Sequence, residues 1–408
     1  MHRRIGFLLA ALLIAGCGGS SNTASSNPST PTNPTTPGSG SGTVSSSASP
    51  ATFVYLSSSP SSGKYEISGY AVGSGGALTP ISSSPWATTG YGSLLMAGHG
   101  SYLFGADGYS IDSFSIASDG SLKQVSSLVA GTLAKSGPAI PAGGPANLFF
   151  DRSYTTLYSF FMNLQGTGNN GYQSYNIDQN SGRLTILNSA NGGPEATGSL
   201  QFTGNNEFGY TSSCYHGTQA LTGFSRASSG ALTELTNNTP FPSPTPPSGS
   251  FYCPYAAAAD NTSHVVVAVG VTPAGSLQGS GPYQLATYTA DASGTLTTTA
   301  TSATMPTTQV GQPNPYLFSA DGKYLAVAGP SGLEVYANNN GTLTAVGSPL
   351  NSDNINFVQW DSNDDLYALS LESQQLYVYT VTTAGAKAVS GSPYSATGAS
   401  GLAVASTV

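Results

Sequence analysis

Charged side chains are scarce in this sequence. Asp, Glu, Lys and Arg make up 7% of its 408 residues, against about a quarter in an average globular protein. Lys and Arg number 10 against 18 Asp and Glu, for a formal charge of -8. No run of basic residues could neutralise a phosphate backbone, which excludes the nucleic-acid-binding classes. Cysteine is rare as well, with 3 in the chain, which limits any disulfide framework to a single bond.

Aromatic residues, glycine and proline are abundant. The chain has 23 Tyr, 15 Phe and 2 Trp, almost all of them beyond residue 50, together with 51 Gly and 26 Pro. The aromatic content is sufficient for a packed core in that part of the chain, so global disorder is not indicated. The Gly and Pro indicate many turns.

The N-terminus has the features of an export signal. Arg3 and Arg4 precede an apolar stretch at residues 5–15, which is too short to span a bilayer but suits a signal peptide. The stretch ends in Ile14-Ala15-Gly16-Cys17, which resembles the lipobox of bacterial lipoproteins. The resemblance implies a signal peptide at residues 1–16 and a lipidated Cys17 as the mature N-terminus. An ordinary secretory signal with an unrelated Cys is the alternative.

Residues 17–50 are expected to form a lipidated Cys followed by a disordered tether, because they consist mainly of Ser, Thr, Pro, Gly and Asn and cannot bury a core. Loss of the signal removes Arg3 and Arg4 and leaves a still more acidic chain, which anionic headgroups repel. Membrane attachment is therefore expected through the lipid anchor alone. The residue after Cys17 is Gly18 rather than Asp, which favours the outer membrane if the host is diderm.

From residue 51 to residue 408 the chain repeats one pattern, in which an aromatic residue ending one strand is followed by a Gly-x-Leu step opening the next. The aromatic and Gly pairs are Tyr70/Gly76, Phe114/Gly120, Tyr175/Gly182, Phe224/Gly230, Tyr288/Gly294, Tyr336/Gly341 and, in a decayed copy where Lys387 replaces Leu, Tyr379/Gly385. Their spacing, in the mid-forties with two longer insertions, is that of propeller blades. Asp321-Gly322, between alternating apolar residues, predicts a hairpin.

These repeats predict an all-β, seven-bladed propeller with four strands per blade, named a to d in chain order. The domain opens on a segment that matches strand b, residues 53–56, and closes on one that matches strand a, residues 401–405. Pairing of the two terminal strands would therefore complete one blade and close the ring.

Several short sequence segments resemble the lactonase family of seven-bladed propellers, which contains bacterial 6-phosphogluconolactonase and the YVTN repeat proteins. They are Ile67-Ser68-Gly69-Tyr70, the Gly76-to-Pro80 step followed by Ser84-Pro85-Trp86, and Gly347-Ser348-Pro349. The resemblance covers roughly residues 51–407 and implies the propeller fold. The family's turns entering strand a carry His or Arg, whereas the matching turns here are Gly144-Pro145-Ala146-Asn147 and Gln312-Pro313-Asn314-Pro315. Opening a phosphorylated lactone calls for cationic groups and a base, so the residues fit that chemistry poorly.

The predicted strand order assigns each remaining ionisable residue to one of the two faces of the propeller. In such propellers ligands meet the face formed by the b-to-c and d-to-a connections, where His216, Glu195 and Asp107 are expected. His216 and Glu195 are weak catalytic candidates, as base and orienter, and Asp107 is a weak ligand-binding candidate. Unrelated surface polar groups are the alternative. His99, Arg152 and His264 are expected at a-to-b turns, on the opposite face.

Cys214 and Cys253 remain as an even pair in an oxidising compartment, which predicts a disulfide between strand b of one repeat and strand a of the next. A metal or catalytic Cys pair is the alternative. Residues 361–365, with alternating oxygen ligands, superficially resemble a calcium loop, but they lack the Gly and distal Glu such a loop needs, which favours a plain a-to-b turn. No metal site and no cofactor are predicted.

The two longer b-to-c loops, residues 161–172 and 269–283, are neutral and flanked by aromatics. Their amides and hydroxyls suit carbohydrate or peptide better than charged metabolites, and simple loop decoration is the alternative. We therefore expect a monomeric binding or scaffolding module, exported and lipid-anchored at the cell envelope. Its partner would be an envelope glycan, a protein or a small lactone. A lactone hydrolase working at the propeller mouth is the alternative function.

Overall fold

The computed structural model describes residues 51–58, 65–88, 95–107, 110–129, 145–161, 171–191, 200–215, 218–238, 241–276, 279–313 and 315–407. Within these ranges the regular structure is β-strand apart from one short 3-10 helix at Thr236–Asn238. The described residues contain no helix long and apolar enough to cross a membrane.

The strands fall into seven consecutive groups. The first has β1 (Thr52–Ser58), β2 (Glu66–Val72), β3 (Leu78–Pro80) and β4 (Trp86–Ala87). The second has β5 (Leu95–His99), β6 (Tyr102–Ala106), β7 (Ser110–Ile116) and β8 (Leu122–Val129). The third has β9 (Pro145–Phe150), β10 (Thr156–Phe161), β11 (Gly171–Ile177) and β12 (Leu184–Asn191). The fourth has β13 (Gln201–Phe202), β14 (Phe208–Tyr215), β15 (Thr218–Arg226) and β16 (Leu232–Leu235).

The remaining groups carry two additional short strands and the closing strand. The fifth has β17 (Ser250–Ala259), β18 (His264–Pro273), β19 (Tyr283–Ala290), β20 (Leu296–Thr297) and β21 (Thr307–Thr308). The sixth has β22 (Tyr316–Phe318), β23 (Tyr324–Gly329), β24 (Gly332–Asn339) and β25 (Thr342–Ala345). The seventh has β26 (Phe357–Trp360), β27 (Asp365–Ser370), β28 (Gln375–Thr382), β29 (Gly385–Ala388) and β30 (Tyr394–Ser395). The chain ends in β31 (Ala399–Ser406).

These groups form seven antiparallel sheets with strands a to d in sequential order, and in three of them an additional short strand, β4, β21 or β30, also pairs with strand c. Strands a of neighbouring sheets lie side by side around the ring. The arrangement is a seven-bladed propeller with the a strands innermost, as predicted. The ring closes where β31 pairs with β1, for example Val54 opposite Val404, so that β31 is strand a of blade 1. The first and last strands of the domain therefore build one blade, and closure leaves no unpaired inner edge there.

The core lies between the blades. Phe53 and Tyr55 of blade 1 pack with Leu103 and Phe114 of blade 2, and each is at most 3% exposed. Burying side chains of this size stabilises a fold by roughly 1.5–3 kcal/mol each. The apolar alternation of the repeats therefore goes into blade-to-blade contacts.

The Gly of the Gly-x-Leu step has a structural reason. Gly120 has φ +80° and Gly182 has φ +69°, a region that side chains disfavour. A Cβ at Gly120 would lie 2.4 Å from the Phe53 ring of the preceding blade, and one at Gly182 would lie 2.3 Å from Tyr102. The step therefore turns the chain from strand c to strand d and lets that turn sit against the neighbouring blade.

Candidate functional site

The two ends of the ring differ in their connections. One end carries the b-to-c and d-to-a connections and is called the upper face here. The other carries the a-to-b and c-to-d turns and is called the lower face. Among the predicted site residues, Asp107 lies on the upper face, at the end of strand b of blade 2. His216, Glu195 and Cys17 lie outside the described residues.

Asp107 is engaged in its own turn. Its Oδ1 accepts a hydrogen bond of 2.6 Å from the backbone N–H of Ser110, and its backbone N–H donates to the Ser110 carbonyl at 3.0 Å. The residue is 5% exposed. These contacts close the connection from β6 to β7, which gives the carboxylate a structural task.

Irregular pairing in strand a alters the upper mouth in three blades. In blade 5 the register shifts between Pro254 and Ala256, which leaves Tyr255 without a partner in β18. Ser400 of blade 1 and Ala146 of blade 3 are skipped in the same way. Bulges re-aim side chains and are frequent beside binding sites. The Ser400 hydroxyl lies 3.1 Å from that of Ser57 and close to its backbone carbonyl.

Tyr255 lies across the face of its own blade. Its ring meets Tyr283 of strand c edge-on, with centroids 5.5 Å apart, and its hydroxyl accepts a 2.8 Å hydrogen bond from the Gly279 N–H. The rings fit because the strand between them carries Gly270, where a Cβ would lie 2.7 Å from Tyr255 and 2.9 Å from Tyr283. Burial raises the pKa of both phenols, so both stay protonated at neutral pH. We call Tyr255 and Tyr283 the tyrosine pair.

No Lys, Arg or His occurs in the described parts of the upper connections or at the described starts of strand a. The Asn147 side chain, in the turn that best matches the lactonase pattern, is 1% exposed, and its Oδ1 has no hydrogen-bond partner among the described atoms. The described part of the upper face therefore offers phenol, hydroxyl, amide and carboxylate groups, and no cation.

The predicted disulfide is present. Cys214, in strand b of blade 4, is bonded to Cys253, in strand a of blade 5, with Cα atoms 5.4 Å apart. The bond links blades 4 and 5, which flank the connection at residues 236–250. Cys253 lies two residues before Tyr255 on β17, so the bond fixes the upper end of this strand, in the elongated β17–β18 hairpin of blade 5, to blade 4.

His99, Arg152 and His264 lie at a-to-b turns on the lower face, as predicted. Arg152 Nη2 donates to the backbone carbonyls of Ala259 and Asp260, two blades further along the ring. His99 stacks on Tyr154 with ring centroids 3.7 Å apart, and burial lowers its pKa to about 4. His264 Nδ1 lies 3.2 Å from Asp260 Oδ2.

Sequence reasoning did not identify the ion pair between Asp151 and Arg226, which joins blade 3 to blade 4 at 2.7 Å with side-chain exposures of 0% and 11%. The turn that holds Asp151 in blade 3 recurs in blades 5 and 7, where Asp260 and Asp361 accept the backbone N–H groups of residues two and four ahead. We call these turns and the Asp151–Arg226 pair the lower-face belt.

A small cavity lies among the lower ends of strands a of blades 3 to 6. Its volume is ≈ 50 Å³, and it lies beside Arg152, Gln201 and Ser319. Gln201 also donates to the Tyr316 carbonyl at 3.1 Å. A cavity of that size holds about one or two waters, so this cavity is too small for a metabolite.

The segment resembling a calcium loop is a plain turn between β26 and β27, as its sequence favours. Asp361 Oδ1 accepts the N–H groups of Asn363 and Asp365, and its Oδ2 accepts the Tyr367 hydroxyl. Burial raises the pKa of Asp361 and of Asp364 to about 6. No group of three or more His, Cys, Asp and Glu side chains suited to a metal ion occurs among the described residues.

Solved structures share this architecture. A candidate 6-phosphogluconolactonase from Bacteroides uniformis matches with a TM-score of 0.59 at 14% identity, covering 87% of this chain and 99% of that one. A second, from Bacteroides fragilis, matches with a TM-score of 0.57 at 14% identity, covering 88% and 99%. The periplasmic gluconolactonase of Pseudomonas aeruginosa matches with a TM-score of 0.57 at 13% identity, covering 87% and 99%.

No protein-family model matches the sequence, and no curated protein is similar to it in sequence. At identities this low, structural likeness establishes architecture and leaves activity open. The chain thus has the seven-bladed propeller fold that the 6-phosphogluconolactonase-like structures share.

Proposed function

We propose that this protein is a lipid-anchored envelope protein whose propeller binds a neutral glycan at the upper face. The lipobox-like segment ending at Cys17, followed by a tether at residues 18–50, supports export and anchoring, since two or three acyl chains give stable attachment where one does not. The tether would hold the ring away from the lipid surface.

The observation that carries the binding proposal is the chemistry of the described upper face. It lacks Lys, Arg and His and presents the tyrosine pair, with Tyr255 on strand a and Tyr283 on strand c of blade 5. An aromatic ring supplies contact area and a phenol supplies a hydrogen bond, a combination suited to sugar rings. An envelope protein segment is the other partner that such a face would accept.

Lactone hydrolysis is the less favoured function. The described upper face holds no cation for a phosphate. The carboxylates of its connections have partners within the protein, since Asp107 accepts from Ser110, Asp353 from Tyr377 and Glu372 from Asn354. The residues that could supply a base and an orienter, His216 and Glu195, lie outside the described residues. The fold likeness to gluconolactonases alone does not raise this alternative above binding.

The test uses the purified full chain. Binding of envelope glycan fragments is measured by calorimetry for the wild type, for Tyr255→Ala and for Tyr102→Ala, a half-buried tyrosine on the lower face that serves as the matched control. We expect binding that is lost in Tyr255→Ala and kept in Tyr102→Ala. Equal binding by both variants, or no binding of any fragment, would contradict the proposal.

A parallel assay follows hydrolysis of phosphorylated and neutral lactones by the wild type and by His216→Ala. Turnover that disappears with His216→Ala would establish the enzyme instead. The anchor is tested by metabolic labelling with a fatty-acid analogue, where Cys17→Ser should abolish both the label and membrane fractionation. Retention of the label in Cys17→Ser would refute the anchor.

A further inference from the structure

A second cavity lies at the upper, outer edge of blade 6, away from the central mouth. Its volume is ≈ 300 Å³, which is within the range of small-molecule sites. Its walls come from strand c of blade 6 and from the connections on either side of that blade. The residues that matter here are Glu334, Tyr336, Thr307, Gln309, Ser348 and Pro349.

Glu334 is the one charged group in the cavity wall, and it is 7% exposed. Its Oε1 accepts a 3.2 Å hydrogen bond from the Gln309 N–H, and its Oε2 accepts a 2.7 Å hydrogen bond from the Tyr336 hydroxyl. Burial, and then the nearby Glu334, raise the pKa of Tyr336, so the phenol stays protonated and donates. No Lys, Arg or His among the described residues forms an ion pair with Glu334.

A buried carboxylate with two hydrogen bonds and no cation is costly. Each of its oxygens has lone pairs beyond the one that each hydrogen bond uses. The charge therefore needs either a structural reason or a partner from outside the chain.

Blade 3 shows that the contact to the strand c tyrosine does not require a charge. Gln173 stands two residues before the aromatic of its strand c, as Glu334 does in blade 6. Its Oε1 accepts the Tyr175 hydroxyl at 2.7 Å, the same contact that Tyr336 makes with Glu334, and its Nε2 donates to Ser189 at 3.0 Å. A fully buried neutral amide thus holds the corresponding tyrosine in blade 3. Glu334 differs in that both of its oxygens accept hydrogen bonds, the second one from the Gln309 N–H.

We propose that the blade 6 cavity binds a small ligand through a protonated primary amine, which pairs with Glu334. The ammonium group would donate to the carboxylate in charge-assisted hydrogen bonds, which are strong where solvent is excluded. The body of the ligand would lie against the Pro306 and Pro349 side of the cavity. This site is distinct from the glycan face proposed above, and neither depends on the other.

The probes are cyclohexylmethylamine, whose amine is protonated at pH 7, and cyclohexylmethanol, its neutral counterpart of the same shape. Binding of each to the full chain is measured by calorimetry. The variants are Glu334→Gln, which introduces the amide that blade 3 has at Gln173, and Glu372→Gln, which removes an equal charge from an exposed site in the next blade. Ser348→Trp, at an exposed position in the cavity wall, fills the cavity without altering Glu334.

We expect the wild type and Glu372→Gln to bind the amine at least about tenfold more tightly than the alcohol, a preference of the size that one good charge-assisted contact supplies. Glu334→Gln should lose that preference, and Ser348→Trp should lose binding of both probes. Equal affinity for amine and alcohol in the wild type would overturn the proposal, as would an unchanged preference in Glu334→Gln or no binding of either probe. Tyr255→Ala should keep amine binding, which separates failure of this site from failure of the glycan face.

Discussion

The ion pair between Asp151 and Arg226 provides the strongest single test of how the ring is held together. Asp151 ends strand a of blade 3, and Arg226 ends strand c of blade 4. The carboxylate is fully buried and also accepts the N–H groups of Thr155 and Thr156 and a 2.8 Å hydrogen bond from Asn206. The perturbation is Arg226→Met, which keeps most of the apolar stem and removes the guanidinium.

The magnitude follows from the contacts that are lost. Arg226 Nη2 donates to Asp151 at 2.7 Å and to the Thr156 hydroxyl at 2.9 Å, while its Nε has no partner among the described atoms. A hydrogen bond to a charged group contributes about 1.5–3 kcal/mol and a neutral one about 1 kcal/mol. Because Asp151 keeps its other donors, we expect a loss of about 3 kcal/mol, toward the lower end of the range for breaking a buried pair.

The assay is urea unfolding of the full chain, with the thermal midpoint as a second measurement. For a domain of this length, about 3 kcal/mol corresponds to a midpoint shift of roughly 4 °C. Lys323→Met is the control, because Lys323 pairs with Asp321 at the surface with 67% of its side chain exposed, and exposed pairs contribute about 0–1 kcal/mol. A loss below about 1 kcal/mol for Arg226→Met, or an equal loss in both variants, would refute the lower-face belt as a source of stability.

Three further predictions concern other parts of the ring. Burial lowers the pKa of His99 to about 4, whereas an unfolded chain binds the proton near pH 6.5; the contribution of His99 to stability should therefore fall as the pH drops from 6.5 to 4. His99→Phe, which keeps the stack on Tyr154, should flatten that part of a urea-midpoint profile, and an unchanged slope would rule His99 out as its source. The Cys214→Ser, Cys253→Ser double variant should be less stable by about 2–4 kcal/mol, measured by urea unfolding against the oxidised wild type, and stability equal to the wild type would exclude a structural role for the bond. Gly270→Ala should displace the tyrosine pair, cost about 1–3 kcal/mol and weaken glycan binding. Gly73→Ala, in a lower-face turn where the added Cβ would come no nearer than 3.4 Å to another atom, should leave glycan binding intact; unaltered binding in Gly270→Ala would separate the tyrosine pair from recognition.

The fold could be predicted from the sequence because its signals are local and repeated. Gly120 and Gly182 mark c-to-d turns by their position after an aromatic, and Asp321-Gly322 marks an a-to-b turn with φ +75° at Gly322. Each such signal needs only a few neighbouring residues. Seven copies of one signal, with a strand b segment first and a strand a segment last, then determine the ring and its closure.

The candidate site could be predicted only in part, because its geometry depends on contacts between residues far apart in sequence. Tyr255 reaches Tyr283 through a bulge and over a glycine, and alternation of apolar residues contains no sign of either. Arg226 and Asp151 are 75 residues apart in number and meet because blades 3 and 4 pack together. The pairing of Glu334 with Tyr336 has a local signal, an acid or amide two residues before the repeat aromatic, which a comparison with Gln173 and Tyr175 would have revealed.

The few charged side chains of this protein fall into two groups, those that stabilise the ring and those that remain available to a ligand. On the lower face the two buried guanidinium groups have partners among the described residues, since Arg226 pairs with Asp151 and Arg152 donates to two backbone carbonyls. On the upper side Glu334 is buried and pairs with no cation among the described residues, whereas in blade 3 the amide of Gln173 holds the corresponding tyrosine. Desolvation of this carboxylate is opposed by the hydrogen bonds from Gln309 and Tyr336 alone, which leave lone pairs on both oxygens. An ammonium group of a ligand, as proposed above, would supply the missing positive charge.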